Sequence, residues 1–495
     1  MSNQKTQATS GFERRDFLKG MAFGGIGMAS MGLLGAVNAK AYAAEAEANG
    51  EAAAMVTAPA EPKLTANATP EEYAAKGGST MSVVELNQRR HELVDSKGDF
   101  ECEDGTVIPA IWNKLRALID TYGYGVGSAK TSASEFEWLQ MMFEDEDQAQ
   151  AYLDMPYGVV FTAQDFAAES GRDEAECAQI CEDMAMRGLL WRALRGGVYR
   201  YHQVAVAHGM FEYNLDRFWE DKWVDKYIAM LNFDDTESGI NGINAGTSFY
   251  YSIPCDESIV ADEKILLHDD YKKIVERNSV IAVSPCQCRL AFQLLRIDEN
   301  APELFSQELI DYTAPKCGHP VDTCLSFGEE AQYYIDKGIG RQIDQEEALA
   351  ILQRSVDAGL VLQSAYTKDS EIICSCSGDC CGILSTYVKL GPDACESLTA
   401  MPNYSHYNLN YDKDACIQCG SCVARCPMTA IEMDEEGYPA VNAMCVRCGQ
   451  CGIVCPVNAR TLSAKAPGEY IDLPEGLLED YNLKASYRFD HDLIH

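Results

Sequence analysis

Eight of the 21 cysteines in this chain fall in two copies of one pattern, and no other feature constrains the fold as tightly. The first copy is Cys416-x2-Cys419-x2-Cys422-x3-Cys426-Pro427, and the second is Cys445-x2-Cys448-x2-Cys451-x3-Cys455-Pro456. Three cysteines spaced two residues apart on a tight loop can reach three irons of one [4Fe-4S] cube, the fourth thiolate coming from elsewhere. Gly420 and Gly449 let the backbone pass close to sulfide. Val423, Ile431, Val446, Ile453 and Val454 can supply the apolar shell that limits solvent access. Zinc knuckles and a disulfide framework are the alternatives, but neither calls for eight cysteines in a doubled, proline-terminated arrangement.

The segment carrying this repeat, residues 408–465, resembles a bacterial two-cluster ferredoxin domain. In that family the cysteine before the proline binds the other cluster. The resemblance therefore implies one [4Fe-4S] cluster on Cys416, Cys419, Cys422 and Cys455, and a second on Cys445, Cys448, Cys451 and Cys426. It also implies an electron relay in which neither cube has an obvious open site for a substrate, so no catalytic residue is assigned.

The N-terminus points to where such a relay works. Arg14-Arg15 stands ahead of Phe17-Leu18, then a weakly hydrophobic, glycine-rich run over 20–37, and then Ala41-Tyr42-Ala43, a small-x-small cleavage pattern. Residues 1–43 resemble a twin-arginine export signal, with an uncleaved N-terminal anchor as the alternative. That route carries folded proteins, which suits clusters inserted in the cytoplasm; it implies the twin-arginine translocase as a partner during export and a periplasmic or cell-surface location.

Net charge is -36, and removal of residues 1–43 takes away five basic and two acidic residues, leaving -39. Such a surface repels nucleic acid and anionic lipid and suits docking to a basic patch on a redox partner. No second apolar stretch approaches membrane-spanning length, so no stable span is expected after cleavage.

The fold class expected is α+β and multidomain. Residues 44–100 are an Ala/Glu/Pro-rich leader and the start of the fold. Residues 101–230 are expected to be helical and winged-helix-like. Ile111, Trp112, Leu115, Leu118 and Ile119 recur at helical spacing. Thr162 caps one helix, Gly171 turns the chain, Asp173 caps a second helix running to about Arg187, and 189–201 reads as a hairpin centred on Gly196-Gly197. Asp173, Glu174, Glu176, Glu182 and Asp183 on the second helix argue against DNA binding. Cys177 and Cys181 read as buried small hydrophobes. The glycine-rich stretch 123–128 lacks a phosphate-loop ending and reads as a turn.

Residues 231–407 form a cysteine-rich middle domain, with 466–495 a C-terminal tail. Cys286, Cys288, Cys317 and Cys324 make one four-thiolate set, with His319 as a substitute ligand; Cys374, Cys376, Cys380 and Cys381 make another. A disulfide between cysteines one residue apart is strained, so the Cys-x-Cys pairs favour metal. A further iron-sulfur cluster, zinc, and disulfides formed after export all remain open. Asp344-x-x-Glu347 opens a helix between the two groups. Cys102, Cys255 and Cys395 carry no assigned role.

Together these features resemble twin-arginine-exported ferredoxin-type electron-transfer proteins. The resemblance implies an extracytoplasmic subunit of an oxidoreductase system, exchanging electrons with a terminal reductase, quinol dehydrogenase or cytochrome. A reductase whose middle domain acts on substrate directly is the alternative, and a redox-sensing interaction protein a third reading.

Overall fold

The computed structural model describes residues 81–494 apart from 103–104, 123–132, 221, 232–247, 261–268, 292–317, 398–402, 467–468 and 471–472. The export-type segment, most of the leader, the stretch 123–128 and Cys317 lie outside the described residues.

The N-terminal part is helical because its caps and apolar spacing agree. Helix α1 (Val83–Ser96) starts where the Ser82 hydroxyl accepts from the Glu85 N–H at 3.2 Å. Helix α2 (Ala110–Asp120) buries Trp112, Leu115, Leu118 and Ile119, the stripe its spacing predicts. Helix α3 (Ala163–Ser170) begins in a capping box between Thr162 and Asp165 and ends at Gly171, whose φ of 73° suits glycine. Asp173 caps helix α4 (Glu174–Met186) by accepting from the Ala175 and Glu176 N–H groups. Strands β1 (Leu190–Arg195) and β2 (Val198–Gln203) then pair antiparallel across Gly196-Gly197. Cys177 and Cys181 are buried in this core.

The middle part is built on a seven-stranded sheet of β3 (Tyr250–Ile253), β4 (Ile281–Pro285), β5 (Asp322–Phe327), β6 (Arg341–Ile343), β7 (Val361–Ala365), β8 (Ile372–Cys376) and β9 (Asn403–Tyr404). Their spatial order is β9-β3-β7-β8-β5-β4-β6, antiparallel except for β9 against β3. Side chains alternate between the two faces of each strand. On one face Tyr251, Ile253, Val283, Leu325, Leu362 and Ile373 pack against Ala348, Ile351 and Leu352 of helix α6 (Gln345–Asp357), which starts at the Asp344 cap. Burial of each such aliphatic side chain contributes roughly 1.5–3 kcal/mol. The other face carries Ser284, Cys324, Gln363, Cys374 and Cys376 and looks toward the N-terminal part, with helix α5 (Gly328–Lys337) alongside.

The last part contains two small hairpins. Strand β10 (Tyr407–Tyr411) pairs with β13 (Arg460–Ala464), and β11 (Ile431–Met433) pairs with β12 (Pro439–Val441). The segment expected to be a tail instead contains helix α7 (Leu477–Asp490), which buries Tyr481, Ala485, Tyr487 and Arg488. Its polar surroundings in sequence hide this, because its contacts are long-range: Arg488 donates to Asp120 at 2.7 Å, both fully buried.

Candidate functional site

Around the repeated cysteines the backbone repeats as well. Gln418 and Arg447 both have φ of 54°, Thr429 and Asn458 have 51° and 50°, and Gly420 and Gly449 have 73° and 86°. Each glycine caps a short helical segment, Ser421–Arg425 or Gln450–Ile453, so the two copies hold their thiols in matching loops. The Ala430 N–H donates to Cys426 Sγ at 3.3 Å and the Ala459 N–H to Cys455 Sγ at 3.2 Å, with Gln418 N–H donating to Cys416 Sγ at 3.4 Å. Eight thiols, each loop offering N–H groups to sulfur, are a donor set that fits iron-sulfur clusters.

Their surroundings differ. Cys419 is exposed, as are Ile417, Met433 and the acidic run Glu432, Asp434, Glu435 and Glu436, and Gln418 next to it donates from Nε2 to the Glu436 carbonyl at 3.2 Å. Cys448 and Cys451 are buried, and burial pushes both thiols up, as it pushes Cys426 up to about 11. A metal must displace these protons to bind. Cys255, to which the sequence assigned nothing, is buried against this half, its N–H donating to the Cys448 carbonyl at 3.1 Å. Arg425 donates to the carbonyls of Val356 at 2.7 Å and Asp357 at 3.0 Å, fastening the domain to the end of α6.

The middle cysteines converge on a cavity between the sheet and the N-terminal part. Cys286, Cys288, Cys324, Cys374, Cys376 and Cys381 line it on one side. Cys324 contacts both Cys286 and Cys374, Cys381 contacts both Cys288 and Cys376, and Cys374 contacts Cys376. Two of these contacts, Cys324 with Cys374 and Cys288 with Cys381, cross between the two sets read from sequence proximity. The sheet causes the crossing: the pairing of Ile373 with Leu325 sets Cys374 on β8 beside Cys324 on β5. Cys380 is buried but does not line the cavity; it meets Ser377 Oγ at 3.1 Å, and burial pushes its thiol up to about 12. His319 stands 3.6 Å from Asp379 and is likewise not a lining residue. Among the described residues, no three His, Cys, Asp or Glu side chains gather closely enough to hold a single metal ion.

The residues that complete this cavity carry no sequence motif of their own. Gln363, fully buried, donates from Nε2 to Cys376 Sγ at 3.2 Å and to Cys381 Sγ at 3.7 Å. Buried Arg289 donates to the Ser375 carbonyl at 3.1 Å, and its charge favours the thiolates of Cys286, Cys324 and Cys380. On the opposite wall His208 Nε2 lies 3.1 Å from Glu330 Oε1, and its Nδ1 lies 3.8 Å from Glu212 Oε2. Burial pushes the Glu212 carboxyl above its usual range.

Residues 410–462 match the family of 4Fe-4S dicluster domains. A ferredoxin of Pyrobaculum islandicum is 62% identical over 26 residues, which are 5% of this chain and 24% of that ferredoxin. No solved structure matches the chain. The C-terminal unit is thus a ferredoxin-type iron-sulfur domain within a mixed helix-and-sheet protein. Such a domain implies iron-sulfur electron transfer. Among the described residues no helix is long and apolar enough to cross a membrane.

Proposed function

We propose that the protein is an extracytoplasmic relay, exported by the twin-arginine route, that passes electrons one at a time through two [4Fe-4S] clusters to or from a partner oxidoreductase. The observation that carries this reading is the asymmetry of the ferredoxin domain. The Cys416, Cys419, Cys422 and Cys455 set reaches the surface at Cys419, whereas the Cys445, Cys448, Cys451 and Cys426 set faces the protein interior. Exchange of an electron at such clusters makes and breaks no bond, so the residues' task is to position, insulate and present them.

The rim around Cys419 fits a partner with a basic surface bearing an apolar centre. Ile417 and Met433 are 36% and 40% exposed, and the acidic run borders them. A terminal reductase, quinol dehydrogenase or cytochrome presenting lysines would be steered to this spot. With a basic monohaem cytochrome as probe, the reduction rate should fall steeply between about 20 and 150 mM salt, over which the screening length shortens to about 8 Å. It should fall further when Glu432, Glu435 and Glu436 are changed to Gln. A rate indifferent to both salt and these substitutions overturns this docking site.

A second reading, reduction of a small molecule by the middle domain itself, is supported by the cavity. There thiols on one wall face Glu212 and His208, which can hold or give a proton, on the other. Consumption of the reduced protein by an added small oxidant without a protein partner, and loss of that activity in Glu212→Gln, tests it.

A further inference from the structure

We propose that the cavity between the sheet and the N-terminal part is the site of a further iron-sulfur cluster, held through thiols of Cys286, Cys288, Cys324, Cys374, Cys376 and Cys381 and in electronic contact with the buried half of the ferredoxin domain. Six cysteines on four separate segments meet at one cavity wall in an unbroken chain of contacts. Four of the six, Cys324, Cys374, Cys376 and Cys381, each touch two other thiols. A disulfide uses one neighbour and leaves the second contact without purpose; a cluster uses several thiolates at once.

Zinc fits less well. A zinc ion draws four ligands to about 2.3 Å from one point, and among the described residues no three such side chains gather that closely. The same is true of the eight ferredoxin cysteines, whose family binds 4Fe-4S clusters. Neither group is thus drawn to one point as a zinc ion requires.

The wall is also equipped for negative charge on sulfur. The buried Gln363 amide donates to two of the thiols, and buried Arg289 adds a positive charge beside them. Hydrogen bonds to the sulfurs are among the features that set the potential of a cluster.

The connection to the ferredoxin domain is short. The Gly378 N–H donates to the Pro427 carbonyl at 2.9 Å. Gly378 lies two residues after Cys376, and Pro427 follows Cys426, so one hydrogen bond joins a cavity ligand to a ligand of the buried ferredoxin half. A Cβ at position 378 would stand 2.7 Å from the Pro427 oxygen and 2.8 Å from Val388 Cγ2, so only glycine permits this approach. One electron given up on the ferredoxin side is taken up on the cavity side, and no proton or bond changes hands. This route rests on reading the C-terminal domain as a relay; the cavity site itself does not.

The test uses the full mature chain isolated anaerobically, analysed for iron, sulfide and zinc, with spins counted by electron paramagnetic resonance after full reduction. About twelve irons or more, and more than two reducible clusters, are expected, where two cubes alone give about eight irons. Cys324→Ala and Cys381→Ala should each lose about four irons and keep the ferredoxin signals, whereas Cys419→Ala should lose about four irons and keep the cavity signal. If the cysteine variants do not fold, the wild-type iron and spin counts still decide. Gln363→Leu then adds a second check, shifting the potential of one cluster only. Eight irons with the six thiols freely alkylated, or with their masses showing disulfides, overturns the site, as does one zinc beside eight irons. Iron lost in Cys324→Ala but unchanged in Cys419→Ala would sink the relay reading and leave the cavity site standing. Gly378→Ala should keep the iron count and slow electron exchange between the two regions; an unchanged rate removes the proposed route.

Discussion

His208 holds a charge where charge is unfavourable. Burial acts to lower its pKa, but the hydrogen bond to Glu330 and the nearby Glu212 outweigh it and raise the value from 6.5 to about 9. Glu371 adds to the same field, its own carboxyl pushed up to about 8 by burial and by Glu330. A group whose pKa is raised on folding stabilises fully below its unfolded value and loses that contribution as pH rises through the folded one. The His208 contribution is therefore complete below about pH 6.5 and fades through about pH 9. His208→Gln should cost about 3–5 kcal/mol at neutral pH by leaving buried carboxylates without their cation. In urea unfolding the gap between wild type and variant should narrow from pH 7 to pH 10. A constant gap would show that the imidazole serves only as packing.

At the level of elements, the ferredoxin domain is attached through the end of α6. Arg425 and Gln450 donate to the carbonyls of Val356, Asp357 and Leu360 there, groups that a helix terminus leaves without internal partners. A cation at this end also meets the negative pole of the helix. Arg425→Ala should destabilise by about 2–3 kcal/mol, since hydrogen bonds from charged groups contribute about 1.5–3 kcal/mol each and water replaces part of the loss. Hydrogen exchange should quicken over 350–360 and 420–455 and stay unchanged over 163–203; uniform quickening would mean the docking is not local. The sequence revealed what is set locally. Thr162, Asp173 and Asp344 cap helices because a cap needs only its own next three residues, and Gly171 ends one for the same reason. The sheet was hidden, because its strands are short and one face carries Ser, Cys and Gln where alternation would show apolar residues. The cavity was hidden for a related reason: Cys288 and Cys381 meet only after the strands between them have been ordered, and sequence proximity placed them in separate sets. The eight ferredoxin cysteines were legible because their spacing is itself the signal.

For the whole molecule, export and closure make separate predictions. Arg14→Lys with Arg15→Lys keeps the charge but removes the paired guanidinium groups, so the double variant should accumulate inside the cell. Normal amounts outside the cytoplasm would exclude the proposed route. Deleting residues 477–495 removes the Arg488 guanidinium that faces Asp120 and the Tyr481 hydroxyl that donates to the His208 carbonyl at 2.5 Å. The loss of that buried pair alone is expected to cost about 3–5 kcal/mol. Protease resistance of residues 81–230 should fall with it, and an unchanged digestion pattern would show that α7 is a mere appendage.

The Arg488–Asp120 pair also bears on the order of synthesis. The ribosome makes Asp120 long before Arg488, so the helix bearing Asp120 waits for its buried partner until the ferredoxin repeat has been made. All eight cysteines of the ferredoxin repeat lie between the two. A chain cut short before its end lacks the seal of its opening domain together with whatever it failed to make. Incomplete synthesis is thereby converted into looseness around Asp120, where a quality-control protease can act.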